Sequence, residues 1–207
     1  QAEAIVASRV TESKPTTTAD TATETEKEVI PVQGGEVTVV KDFYDDSNAY
    51  VDQIEELLKD DVGVSNFNNK KRHVAVVYGP LDYEYSLGGG RKAVHEKNEA
   101  IPPFLVQMMR EAEVALGKPE GYFNHVLVNR FANNEGIGKH KDAESIYTAE
   151  DGSTGAVGIY SIGTTSTPHN IGNKDILASD NSLIEMSTGD LSHSVGKASG
   201  TRYSVNF

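Results

Sequence analysis

His140-Lys141-Asp142, His193 and Arg202 are the residues of this chain whose types and spacing could do chemistry. Two imidazoles and one carboxylate on one side of a site leave the other positions of a metal open. That ligand set suits non-haem Fe(II) activating dioxygen. His140 and Asp142 are two apart, a spacing that in a β-strand points both side chains the same way. His193, 53 residues further on, would reach the same point from a distant strand. Arg202, nine residues beyond it, could grip a carboxylate co-substrate through two parallel N–H groups. His193 lies in Gly189-Asp190-Leu191-Ser192-His193-Ser194-Val195, a turn feeding a short alternating strand. Spacing alone leaves His169 open as the third ligand. One His-x-Asp pair among six histidines is weak evidence by itself. His73, His95, His125 and His169 are read as ordinary surface or hydrogen-bonded residues.

The elements that must hold these residues are legible as a helical pattern followed by a strand pattern. Residues 36–40 predict a strand. A helix follows with Ser47 as its N-cap and Tyr50, Val51, Ile54, Leu57 and Leu58 as its apolar stripe. His73–Tyr78 reads as a strand closed by Gly79-Pro80. Tyr83-Glu84-Tyr85-Ser86 then leads into Gly88-Gly89-Gly90, a loop suited to a lid. A second helix starts at Pro102 or Pro103 and runs through Phe104, Leu105, Met108, Met109, Ala112 and Ala115 to Gly117. Short strands are predicted at 125–131, 156–162, 183–186, 191–195 and 202–207. Helices first and strands afterwards give an α+β expectation: a double-stranded β-helix (jelly-roll) core with N-terminal helices packed on it.

At 207 residues this is one domain with a tail. Residues 1–30, rich in Thr, Ala, Glu and Ser, bury too little apolar area to offset their ordering entropy and read as a disordered or linker arm. The domain is assigned to 36–207. The start lacks both a Met and a basic segment ahead of an apolar stretch, so it reads as processed or cut from a larger precursor, without a secretory signal. No apolar run of transmembrane length occurs, so no membrane association is expected. The absence of cysteine excludes a disulfide-linked partner, iron–sulfur clusters and thiol chemistry. It leaves His and carboxylates as metal ligands, and a cytoplasmic monomer is expected. The net charge of −12 opposes non-specific nucleic-acid binding. Residues 1–36 carry seven acids against three bases, so most of that charge lies in the domain. Lys70-Lys71-Arg72 and Arg91-Lys92 are the local basic clusters, more ordinary as solvated loops than as a nucleic-acid surface.

Phe123-Asn124-His125-Val126-Leu127-Val128-Asn129-Arg130-Phe131 precedes Gly136-Ile137-Gly138-Lys139-His140-Lys141-Asp142-Ala143-Glu144. Together they resemble the AlkB family of Fe(II)/2-oxoglutarate dioxygenases, whose pattern is in outline F-N-x-x-L-x-N-x-Y, a short loop, then I-x-x-H-x-D-x-E. Tyr78-Gly79, Tyr83-Glu84-Tyr85-Ser86 and Ile101-Pro102 are similar to the segment upstream of that core. The likeness covers roughly residues 70–207. It implies His140, Asp142 and His193 as iron ligands, and Arg202 on the distal carboxylate of 2-oxoglutarate, with Asn129 and Ser204 also at co-substrate positions. Glu144 falls where an acid meets the exocyclic edge of a target base, and Tyr83 and Tyr85 where aromatics could stack on a flipped base.

Three positions depart from the family. Phe131 replaces a tyrosine that hydrogen-bonds 2-oxoglutarate, and the lost hydroxyl would weaken binding by about 1 kcal/mol. Gly163-Thr164-Thr165-Ser166 stands where Gly-Ala-Thr-Arg is usual. The family's second arginine, six residues after the first, would fall one position beyond Phe207. The resemblance implies an oxidative demethylase using Fe(II), 2-oxoglutarate and O2 on N-methylated bases. Methylated RNA is favoured over single-stranded DNA, in an AlkB-type domain of a plant RNA virus polyprotein. The rival readings are a 2-oxoglutarate-dependent protein hydroxylase and a degenerate, non-catalytic nucleic-acid-binding module.

Overall fold

Strands covered on both faces lose the polar alternation of a half-exposed strand, and the burial of residues 156–163 has that character, with six consecutive positions buried. The computed structural model describes residues 26–59, 65–66, 73–86, 92–148, 152–163, 167–178 and 180–207. In chain order their elements are β1 (Lys27–Val32), β2 (Gly35–Val40), α1 (Val51–Lys59), β3 (Ser65–Asn66), β4 (His73–Tyr78), β5 (Tyr83–Ser86), β6 (Lys92–His95) and α2 (Pro103–Leu116). Then come β7 (Val126–Phe131), β8 (Ile137–His140), β9 (Ala156–Gly163), β10 (Thr167–Ile171), β11 (Lys174–Ala178), β12 (Ser182–Ser187), β13 (His193–Val195) and β14 (Arg202–Asn206). The large sheet has the order β1-β2-β12-β9-β14-β7-β4-β3, the small sheet β11-β10-β13-β8, and β5 pairs with β6 as a separate hairpin.

The two sheets face each other as in a jelly roll, and both helices lie on the outer face of the large one. Strand period 2 sorts its side chains. Val40, Leu183, Tyr160, Ile162, Tyr203, Val205, Val126 and Val128 point to the helices and join Ile54, Leu58, Leu105, Met108, Met109, Ala112 and Leu116 in one core. Val37, Val39, Ile184, Met186, Val157 and Ile159 point the other way and meet Ile171, Ile176 and Leu191 in a second core between the sheets. The buried positions of α2 recur three and four apart, which makes one buried stripe, apolar but for Glu113. Gly117 closes that helix in the left-handed conformation (φ 69°), its N–H directed at the carbonyls of Glu113 and Val114.

The helices do not precede the strands. β1 and β2 come before α1, and four further strands separate α1 from α2, so the expectation of N-terminal helices on a later β core is corrected to helices interleaved with strands. A strand forms at Lys27–Val32, overlapping the end of the 1–30 segment read as an arm, while residues 1–25 lie outside the described residues. β1 is an edge strand, where Pro31 is tolerated because one side of the strand needs no N–H partner. The N-cap before α1 is Asp46, not Ser47. The Asp46 carboxylate accepts from the Asn48 N–H at 2.9 Å, and Ser47 opens a short 3-10 turn. No described helix is long and apolar enough to cross a membrane.

Candidate metal centre

β8 and β13 are hydrogen-bonded neighbours in the small sheet, and His140 stands directly opposite His193 in their register. The next pair is Val195 with Ile137, so β8 carries one extra residue. Such a bulge re-aims nearby side chains. A tight approach holds it: a Cβ on Gly136 would lie 2.5 Å from the Val195 carbonyl oxygen. The same-face argument for His140 and Asp142 holds only in part, because β8 ends at His140. Asp142 is instead tied to the turn before β13, where Gly189 (φ 85°) donates its N–H to the Asp142 carbonyl at 2.7 Å.

Both imidazoles are oriented from behind. His140 Nδ1 lies 2.8 Å from the Gly138 carbonyl, and His193 Nδ1 lies 3.3 Å from the Leu191 carbonyl. A carbonyl can only accept, so each Nδ1 carries the proton and each Nε2 is left as a lone-pair donor. Those Nε2 atoms lie 3.6 Å and 3.4 Å from the two oxygens of Asp142. One ligating atom from each of the three residues lies within 4.8 Å of the others. The backbone partners behind the two histidines are the outer shell expected of metal-ligating imidazoles. The donor set therefore fits a divalent iron held by His140, Asp142 and His193.

Burial, and then the His140 charge, push the His193 imidazole down to about 4. Burial raises the Asp142 carboxyl. A His193 imidazole held neutral and a carboxyl that is reluctant to ionise describe a centre short of one positive charge. A bound cation would reverse the carboxyl's preference.

The facing wall comes from the large sheet, and strand period 2 again sorts it. Arg202, Ser204 and Asn206 on β14, with Leu127, Asn129 and Phe131 on β7, share one cavity with His140, Asp142 and His193. Their in-between neighbours Tyr203 and Arg130 point to α1. There the Glu55 carboxylate accepts from the Arg130 guanidinium at 3.0 Å and from the Tyr203 hydroxyl at 2.5 Å. Asn129 donates to the Ser204 hydroxyl at 3.3 Å. Arg202 is 4% exposed, and burial lowers its guanidinium to about 10. No described carboxylate forms an ion pair with it. Its Nη2 contacts the Ser161 hydroxyl at 3.1 Å and His169 Nε2 at 3.0 Å, its Nε is buried without a partner, and the Phe131 ring centroid lies 5.3 Å away.

Tyr83 is buried and lines the same cavity. Tyr85 belongs to β5 by its backbone, and its side chain lies outside the described residues, as do Lys70-Lys71-Arg72, Arg91, Gly88-Gly89-Gly90 and Thr164-Thr165-Ser166. Glu144 is half-buried two residues past Asp142 and does not line the cavity. Its Oε2 has no hydrogen-bond partner, and burial raises its carboxyl. His169 is not a third ligand, since its Nε2 faces Arg202. Sequence reasoning missed it as a cavity residue, along with Tyr147 and Asn206, and missed Ser161 as a partner of Arg202. For Asn206 the signal was present in the alternation 202, 204, 206.

A scan against protein-family models finds no match to this sequence, and a comparison with curated proteins also finds none. Solved structures do match. OsALKBH1 superposes with a TM-score of 0.59 at 11% identity, over 87% of this chain and 99% of its own. An oxidoreductase of the 2OG-Fe(II) oxygenase family from Burkholderia pseudomallei gives 0.52 at 14% identity, over 82% of each chain. A prolyl hydroxylase from Trichoplax adhaerens, solved with a hypoxia inducible factor peptide, gives 0.51 at 15% identity, over 82% of this chain and 81% of its own. At such identities the likeness speaks for the fold. This chain has the fold of the 2-oxoglutarate- and Fe(II)-dependent oxygenases.

Proposed function

We propose that this protein is an Fe(II)- and 2-oxoglutarate-dependent oxidative demethylase that removes N-methyl groups from nucleobases, RNA in preference to DNA. One observation carries the reading: a pre-oriented His140/Asp142/His193 donor set shares a cavity with Arg202, a buried cation that forms no ion pair among the described residues. When bound, the iron with 2-oxoglutarate and O2 supplies an oxidation that hydroxylates a methyl group, with succinate, CO2 and finally formaldehyde as products.

The chain's own residues bind and orient. Arg202, anchored by its Nη2, offers the unpartnered Nε–H of a fixed, planar guanidinium to the distal carboxylate of 2-oxoglutarate, an orientation that a flexible lysine would not hold. Asn129 and Ser204, hydrogen-bonded to each other across β7 and β14, offer the co-substrate polar atoms from the same wall. Phe131, Leu127 and Ile159 keep the cavity apolar around those groups. Tyr83 supplies an aromatic edge for an extruded base. Glu144, two residues past Asp142, is the acid assigned to the exocyclic amine of the base by its place in the AlkB resemblance.

The nucleic-acid substrate is supported by the AlkB resemblance of residues 123–144 and by the likeness to OsALKBH1. A second reading, a 2-oxoglutarate hydroxylase acting on peptide, draws support from the likeness to the peptide-bound prolyl hydroxylase and from the net charge of −12. Mass spectrometry of N1-methyladenine RNA after incubation with Fe(II), 2-oxoglutarate and air separates the two. Loss of the methyl group supports the demethylase, and an unchanged oligonucleotide beside an oxygenated peptide overturns it.

A further inference from the structure

His169 lies on β10 of the small sheet, 2% exposed, with its Nε2 3.0 Å from Arg202 Nη2. A guanidinium nitrogen can only donate, so Nε2 is the unprotonated nitrogen and turns its lone pair to the arginine. The same Nη2 donates to the Ser161 hydroxyl at 3.1 Å. Both of its hydrogens are then engaged, and the planar guanidinium is held by one corner. Arg202 Nε remains buried with no partner. Phe131 covers the guanidinium but brings no hydroxyl, since a phenylalanine stands there.

The two ordinary roles for a buried histidine do not fit. His169 is outside the cluster of ligating atoms formed by His140, Asp142 and His193. A merely structural imidazole would gain more from a carbonyl or hydroxyl than from a buried cation without a counter-ion, beside which it must stay neutral.

We propose that His169 is a positioning residue for the co-substrate: it fixes Arg202 Nη2 so that the free Nε–H of the guanidinium faces the distal carboxylate of 2-oxoglutarate. It thereby does work that a hydroxyl on residue 131 would otherwise do. The inference rests on the reading of this cavity as a 2-oxoglutarate site. It goes beyond that reading by assigning a determinant of co-substrate affinity to the small sheet.

The test is calorimetric titration of 2-oxoglutarate into the full chain loaded with Mn(II), for the wild type, His169→Leu, His169→Gln and Arg202→Met. Melting temperature and Mn(II) affinity are measured alongside. One charge-assisted hydrogen bond predicts that His169→Leu weakens 2-oxoglutarate about tenfold while Mn(II) affinity stays within about threefold. His169→Gln, whose Oε1 can accept from Nη2, returns 2-oxoglutarate affinity to within about threefold of wild type. Should His169→Leu not fold, His169→Asn, too short to reach Nη2, makes the same comparison with the glutamine variant. A leucine or asparagine variant that binds 2-oxoglutarate like wild type while Arg202→Met does not overturns the role of His169 alone. If Arg202→Met also binds like wild type, the co-substrate reading of the cavity falls with it.

Discussion

Replacing Arg202 by methionine separates a ligand-binding cation from a structural one. Burial lowers its guanidinium to about 10, which means the folded protein penalises the charge by about 3 kcal/mol. Against that stand two hydrogen bonds, to Ser161 and His169, each contributing about 1–1.5 kcal/mol. The two sides nearly cancel, so the metal-free Arg202→Met protein should unfold in urea within about 1 kcal/mol of wild type. Binding of 2-oxoglutarate should respond very differently. Losing a charge-assisted hydrogen bond to a buried carboxylate costs about 2–3 kcal/mol, on the order of thirty- to a hundredfold in Kd.

Arg202→Lys keeps the charge and loses the fixed, planar guanidinium, and should lie about tenfold below wild type. The assay is calorimetry on the Mn(II)-loaded protein, with urea unfolding of the metal-free form. A methionine variant that loses several kcal/mol of stability yet binds 2-oxoglutarate unchanged would refute the reasoning. Arg202 would then be a structural cation.

Stability should also depend on pH in a defined direction. Burial, first among the causes, holds His193 down at about 4 and lowers His95, His125 and His169 below 6.5. The unfolded chain takes up protons below 6.5 where the folded one does not, so stability is complete above that pH and falls towards pH 4. His193 alone contributes about 3 kcal/mol to that fall. Asp142 and Glu144, raised by burial, protonate earlier when folded and offset part of it. A melting temperature of the metal-free protein that is flat from pH 7.5 to 4.5 would count against this. Gly136→Ala puts a methyl against the Val195 carbonyl and should cost about 1–3 kcal/mol by urea unfolding. Gly138→Ala, which has open space, should cost less than about 0.5 kcal/mol. Phe131→Tyr restores a hydroxyl beside Arg202 and should tighten 2-oxoglutarate about fivefold in the same calorimetry.

The parts of the site that were legible in the sequence are those set by motif or local period. Asn129 and Ser204 came from the AlkB resemblance, and the alternation of β7 and β14 puts them on one face with Phe131 and Arg202. His140, Asp142 and His193 stood out by residue type. What the chain order hid was tertiary. Lys27–Val32 mixes charges with Pro31 and gave no strand signal, because an edge strand needs neither full apolarity nor every N–H. The sequence 167–171 carries a proline and no apolar alternation, so β10 went unread, and with it the place of His169. Its closeness to Arg202 arises from the facing of two sheets, which no spacing in the chain encodes. Asp142 was read as a strand residue, yet its position is set by the Gly189 turn, 47 residues away.

The central claim is tested most directly by measuring formaldehyde and succinate together. The purified chain is incubated under air with Fe(II) and 2-oxoglutarate on matched N1-methyladenine RNA and DNA oligonucleotides, with His140→Ala as control. The account predicts formaldehyde in step with succinate, more from RNA than from DNA, and neither product from the His140→Ala protein. Succinate without formaldehyde from either polymer would contradict the demethylase. No products at all would contradict the oxygenase.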